Sequence, residues 1–152
     1  MKDVLIVGNW KMLPETLNEA RFIFDNLSKE IKREKNKEIV LCPPFVYLAE
    51  GLAKVGAKAK FGAQDCFWET KGAFTGEISP VMLKDLGCDY VILGHSERRH
   101  YFGETDEWIN RKIKLALKAG LKPILCVGEK ESEREELGVV LENQLLNSLA
   151  GI

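Results

Sequence analysis

The chain has 152 residues, 45% hydrophobic and 30% charged, with a formal net charge of −1 at pH 7. That length predicts one domain with a sizeable core, and the near-neutral charge argues against nucleic acid or an anionic membrane surface as partners. No apolar run approaches the length of a membrane span, and the opening Met1-Lys2-Asp3 before a short apolar stretch lacks the layout of a secretory leader.

Residues 4–7 form the first predicted strand, which ends in Gly8-Asn9-Trp10-Lys11-Met12. A helix is expected from near Pro14, since proline suits the first helical position. Its apolar stripe is Leu17, Ala20, Phe24, Leu27 and Ile31, at helical spacing. The charged stretch 29–38 ends it and leads to a second strand at 39–42, after which Pro43-Pro44 opens a short helix. The third strand is 60–63, followed by a long loop. Ser79-Pro80 reads as an N-cap and first helical residue, opening a helix through Leu86 that Gly87 stops. The fourth strand, 90–93, runs into Gly94-His95-Ser96-Glu97-Arg98-Arg99, a glycine turn and a charged helical start. Thr105-Asp106-Glu107 caps the next helix, which turns Ile109, Ile113 and Ala116 inward and ends at Gly120. A fifth strand is expected at 124–127. Leu137, Leu141, Leu145 and Leu149 then mark a last helix, whose start Gly138 weakens.

Apart from the third, these strands are apolar on both faces, as parallel strands covered by helices are. Five successive βα units with no antiparallel signal imply a parallel sheet with right-handed crossovers. Periodicity alone leaves open whether the sheet is doubly wound or part of a closed barrel. The four cysteines, Cys42, Cys66, Cys88 and Cys126, form no C-x-x-C pair. They read as buried thiols of a reducing cytosol, and their wide spacing away from the two histidines argues against a zinc site.

His95 and Lys11 each follow the carboxyl end of a predicted strand, where α/β folds place their chemistry. The motifs Gly-Asn-Trp-Lys-Met at 8–12 and Gly-His-Ser-Glu-Arg-Arg at 94–99 together closely resemble the triosephosphate isomerase family, and the resemblance runs along the whole chain. It implies a partial TIM barrel: five parallel βα units of the usual eight, open within one chain, with 1–152 as a single truncated domain. A complete barrel has roughly 250 residues. The family interconverts dihydroxyacetone phosphate and glyceraldehyde 3-phosphate through an enediolate, without a cofactor, and is itself a standard worked case of such chemistry.

The resemblance assigns roles residue by residue. His95 matches the electrophile, a neutral imidazole that hydrogen-bonds the carbonyl oxygen and shuttles a proton; a following helix N-terminus suits the neutral ring. Lys11 matches the lysine that faces the phosphate and the enediolate oxygen. Asn9 matches the residue orienting that oxygen or its neighbours. Ser96 and Glu97 look like supporting residues beside the site, and they read equally as helix-start residues. Arg98 and Arg99 are read as scaffold ion-pair residues and His100 as surface. Glu129 matches a family position without the role of base. The segment from Gln64-Asp65 to Gly72-Ala73-Phe74-Thr75-Gly76-Glu77 resembles the family's long third loop, which inserts into a neighbouring subunit. Gln64, Phe74 and Thr75 are accordingly expected at an interface, and Phe67, Trp68 and Phe74 among glycines would seek burial. The alternative is an Ω-loop packed on its own domain.

No segment resembles the family's glutamate-bearing motif after the sixth strand. The lid and the phosphate loops after strands seven and eight are likewise unmatched. The expectation is a chain inactive or nearly so alone, taking triose phosphate only if the site is completed. The alternatives are a non-catalytic, self-assembling barrel fragment, or one half of a split enzyme needing a C-terminal partner. The first and fifth strands would be open, apolar, proline-free edges, so a cytoplasmic homo-oligomer, joined through these edges and the third loop, is expected.

Overall fold

The computed structural model describes residues 4–32 and 36–152. The Met1-Lys2-Asp3 start and part of the charged stretch 29–38 lie outside the described residues. Five strands, β1 (Val4–Asn9), β2 (Lys37–Cys42), β3 (Lys60–Ala63), β4 (Tyr90–Leu93) and β5 (Lys122–Leu125), pair in parallel in the order β1-β2-β3-β4-β5. Between and after them run α1 (Leu17–Glu30), α2 (Phe45–Val55), α3 (Pro80–Leu86), α4 (Ser96–Tyr101), α5 (Asp106–Lys118) and α6 (Leu137–Ser148). A doubly wound sheet would reverse its strand order at a switch point. Sequential order throughout makes this an open half-barrel.

The register sorts side chains into two layers. Val7 pairs with Val40, Gly62 with Tyr90, and Tyr90 with Lys122. Val40, Cys42, Tyr90 and Ile92 therefore share the inner face, with Ile124 and Cys126 packed against them. Leu41, Phe61, Ala63, Val91 and Leu93 point outward beneath the helices, against Phe24, Leu48, Leu83, Ile109 and Ile113. Gly62 is required on the inner face, because a Cβ there would lie 2.7 Å from the Cys42 Sγ.

Local chemistry sets the element ends. Helix α1 starts from Thr16 and not near Pro14: the Thr16 hydroxyl accepts the Glu19 N–H and the Glu19 carboxylate accepts the Thr16 N–H, both at 3.2 Å. This capping box satisfies two orphan donors at once. Pro14 lies in the preceding loop, where its carbonyl accepts the Tyr47 hydroxyl at 3.1 Å. Ser79 caps α3 and Thr105 caps α5 as expected, and Gly87 ends α3 at φ 112°. Strand β5 lies two residues earlier than expected and contains Pro123, correcting the expectation of a proline-free edge. The ladder from Tyr90↔Lys122 to Leu93↔Leu125 fixes that register, and an edge strand tolerates the missing N–H.

Strands β1 and β5 end the sheet. Val4, Leu5, Ile6 and Val7 are 37–49% exposed, an uncovered apolar strand. Leu137 and Leu145 of α6, and Leu149 just past its end, also stay 40–42% exposed. That helix is held by polar contacts instead: the Asn110 side-chain amide donates to the Ser148 and Ala150 carbonyls, both at 3.0 Å. Among the described residues no helix is long and apolar enough to cross a membrane.

Candidate functional site at the carboxyl ends of the strands

The loop after β1 is built around one strained residue. The Trp10 N–H donates to the Cys42 carbonyl at 3.0 Å, prolonging the β1–β2 ladder, and the Trp10 ring stacks on Phe24 with centroids 4.7 Å apart. The chain then turns at Lys11, the one non-glycine with positive φ (55°) among the described residues. A side chain in that region costs roughly 1–2 kcal/mol. Hydrogen bonds of roughly 1 kcal/mol each offset it. The Asn9 Oδ1 accepts the Lys11 N–H at 2.9 Å, and the Gln64 Nε2 donates to the Lys11 carbonyl at 2.8 Å and to the Cys42 carbonyl at 2.8 Å.

The loop after β4 turns at Gly94 (φ 74°), where a Cβ would lie 3.0 Å from the Cys126 carbonyl oxygen and from the Arg99 guanidinium. His95, not Ser96, caps α4: its Nδ1 accepts the Glu97 N–H at 3.3 Å. With Nδ1 an acceptor, the neutral ring carries its proton on Nε2, leaving that atom free to donate. Ser96 is exposed and opens the helix.

Glu97 joins the two loops. Its Oε1 lies 2.6 Å from the Lys11 Nζ, and its Oε2 lies 3.5 Å from the His95 Nδ1, an ion pair only when the ring is protonated. The Lys11 hydrogen bond, opposed by burial and aided by the Lys11 charge, holds the Glu97 carboxyl below the usual carboxylate range. Both side chains are about half exposed, so the pair adds little stability. What it does is fix the ammonium beside the histidine. Asn9, Lys11, His95 and Glu97 thus form one polar group at the ends of β1 and β4.

The two arginines are structural, as expected. The Arg99 guanidinium donates to the Gly94 carbonyl at 2.8 Å and meets the Asp106 carboxylate at 2.5 Å, tying the histidine loop to α5. Arg98 enters a cluster that sequence reasoning missed. The Lys112 Nζ lies 2.8 and 3.0 Å from the two Asp65 oxygens and also bonds Glu104, while the Arg98 Nη2 lies 2.9 Å from Asp65. Asp65, Glu104 and Lys112 are all buried. Burial pushes the Asp65 carboxyl upward, countered by the charge of Lys112. One signal was present in the sequence: Lys112 falls on the same face of α5 as Ile109, Ile113 and Ala116.

The long loop after β3 packs on its own chain. Phe67 stacks on Trp68 (4.2 Å) and meets Phe74 (4.7 Å), Trp68 meets Trp108 of α5 (5.1 Å), and Arg111 lies 4.9 Å over the Trp68 ring. Phe74 is still 43% exposed and Thr75 is exposed beside it. His100 is exposed, with its ring edge against Tyr101. Glu129 lines an open cleft of about 600 Å³ with Ser96, Glu97, Arg99 and Lys130. All four thiols are free, and burial pushes those of Cys42 and Cys66 up to about 12 and that of Cys88 to about 11. Among the described residues no cluster of histidine, cysteine or carboxylate side chains is placed to hold a metal ion.

A parallel half-barrel with a histidine, a lysine and an asparagine gathered at its strand ends defines a protein of the (β/α)-barrel class. The profile of the triosephosphate isomerase family matches residues 4–152. Triosephosphate isomerase of Dehalococcoides mccartyi is 50% identical over the whole chain and 60% of its own length. Those of Thermoanaerobacter pseudethanolicus and Dictyoglomus thermophilum are each 52% identical, again over the whole chain and 62% of their own length. The chain belongs to the triosephosphate isomerase family. It spans about 60% of the length of these curated relatives.

Proposed function

We propose that these residues supply the electrophilic part of a triosephosphate isomerase site. The reaction is proton transfer between the two carbons flanking a triose phosphate's carbonyl, through an enediolate. His95 donates from Nε2 to the carbonyl oxygen, Lys11 stabilises negative charge on the phosphate and the enediolate, and Asn9 orients the Lys11 loop. The carrying observation is the bridge at Glu97, which meets Lys11 at 2.6 Å and approaches His95 to 3.5 Å. It gathers two strand-end motifs 86 residues apart in the sequence. The glutamate base, lid and phosphate loops of the family belong to its later strands, outside these residues. In this reading the 152-residue chain is inactive alone and gains activity when that remainder is supplied, as a split enzyme does.

The reading includes a cytoplasmic homo-oligomer. The uncovered apolar side chains of β1 and the exposed Phe74 and Thr75 favour association, and open strand edges are templates for pairing. The same surface favours a second reading, a self-assembling fragment without turnover. Light scattering across a concentration series, with and without a separately made C-terminal portion of a relative, separates them. Assembly into a discrete species with isomerase activity supports the split enzyme. Particles that neither bind nor respond to the added portion support the second reading, and a stable monomer at high concentration removes self-association from both.

A further inference from the structure

We propose that Gln64 is a positioning residue for Lys11: its side-chain amide holds the strained Lys11 backbone, and so aims the ammonium between Glu97 and the histidine loop. A catalytic consequence rests on the isomerase reading above; the brace itself does not.

Three observations carry it. First, the Gln64 Nε2 makes two hydrogen bonds of 2.8 Å, to the carbonyls of Lys11 and Cys42. A primary amide nitrogen has two N–H donors, and both are used. A carboxylate of the same length would offer only acceptors to two carbonyl oxygens. Second, Lys11 sits at φ 55°, and its peptide is clamped on both sides, by Asn9 at the N–H and by Gln64 at the carbonyl. A residue held in a sparsely populated conformation persists only where its surroundings over-determine it. Third, Gln64 is itself fixed. Ala63 before it ends β3 and is fully buried, and Asp65 after it is gripped by Lys112 and Arg98. The buried ion cluster therefore holds the base of the brace, the brace holds the Lys11 carbonyl, and the Lys11 side chain reaches Glu97. The cluster, buried Asp65, Glu104 and Lys112 with the partly exposed Arg98, thus lies at the foot of the brace, and the Arg98 N–H also donates to the His95 carbonyl at 2.8 Å.

The test uses the isolated chain, labelled for NMR, as the unmutated form and as Gln64→Ala and Gln64→Glu, with circular dichroism as the check on folding. The primary readout is the titration of the Glu97 carboxyl carbon, which Lys11 and His95 face. Loss of the brace frees Lys11, so the Glu97 midpoint should rise toward the ordinary carboxylate value in both variants, and the Lys11 amide resonance should shift. A variant that folds with the Glu97 midpoint and the Lys11 resonance unchanged overturns the proposal. If neither variant folds, the unmutated chain decides: the Gln64 side-chain protons should exchange about tenfold or more slowly than those of exposed amides. Free exchange overturns the brace.

Activity provides a separate arm, in residues 1–152 joined to the C-terminal remainder of a relative. Gln64→Ala should lower kcat roughly 100-fold, the scale expected for a misplaced catalytic group, with a smaller effect on KM. An unchanged kcat overturns a positioning role. An inactive unmutated joined chain would sink the isomerase reading alone, since the NMR measurements decide the brace without it.

Discussion

Lys112→Met tests the buried ion cluster most sharply. Lys112 is 2% exposed, and it donates to Asp65 at 2.8 and 3.0 Å and to Glu104. Methionine nearly matches its length and fills the space, so no large cavity confuses the result. What remains is two buried carboxylates facing only Arg98, whose side chain is one-third exposed. Removing one partner of a buried pair costs about 3–5 kcal/mol, because the other charge is left without compensation. With a urea m-value of about 2 kcal/mol/M, the midpoint should fall by roughly 2 M. The loss should shrink in acid. Burial raises the Asp65 carboxyl above its unfolded value, so the folded state binds that proton more tightly; Asp65 then favours folding at low pH, and this contribution fades as pH rises through its folded value. Without Lys112 that value rises further, so neutralisation relieves the variant more than the parent. The assay is urea unfolding by circular dichroism at neutral and acid pH, with Lys114→Met on the exposed face of α5 as control. A Lys112→Met midpoint no lower than that control would refute the reasoning, as would a deficit that grows in acid.

The other predictions are simpler. Phe24 is fully buried between the Trp10 and Phe61 rings, and Phe24→Ala should cost about 3–5 kcal/mol in the same unfolding assay. Gly51→Ala places a Cβ 2.6–2.7 Å from the Phe61 and Phe24 rings, and overpacking of this kind costs about 1–3 kcal/mol. Lys11→Met should return the Glu97 carboxyl toward its ordinary value; because that value is depressed in the fold, the Glu97 contribution is present above the unfolded value and lost as pH falls through the folded one. In a thiol-labelling time course near pH 8, Cys126, whose thiol burial also raises but which is only partly buried, should react before the buried Cys42, Cys66 and Cys88, pushed up to about 12, 12 and 11.

Where the sequence carries local chemistry, the fold was legible from it. Strands β3 and β4 coincide with expectation, and Ser79 and Thr105 cap the helices they were expected to cap. The start of α1 was missed although its signature, Thr16 with Glu19 three residues on, was present; the proline was the louder local cue. Strand β5 slipped because residues 124–127 are more apolar than Lys122-Pro123, whereas its ladder partner Tyr90 lies 32 residues away. The motifs brought out Lys11, His95, Asn9 and Glu97, and the structure gathers those four. The cap on α4 falls to His95 where a serine was the conventional candidate, since an imidazole Nδ1 can also accept an N–H. The Asp65–Lys112 pair spans 47 residues and the Gln64 brace 53, and no local pattern encodes such distances. Only the lysine on an apolar helical face hinted at the first. Nothing local hinted at the second.

The most direct measurement of the central claim is isomerisation of glyceraldehyde 3-phosphate, in a coupled assay, by three samples: the 152-residue chain alone, the chain joined to the C-terminal remainder of a relative, and that joined protein carrying His95→Ala. The account predicts no turnover by the first, clear turnover by the second, and a large loss in the third with folding intact. Turnover by the chain alone, or a joined protein indifferent to His95, would contradict it.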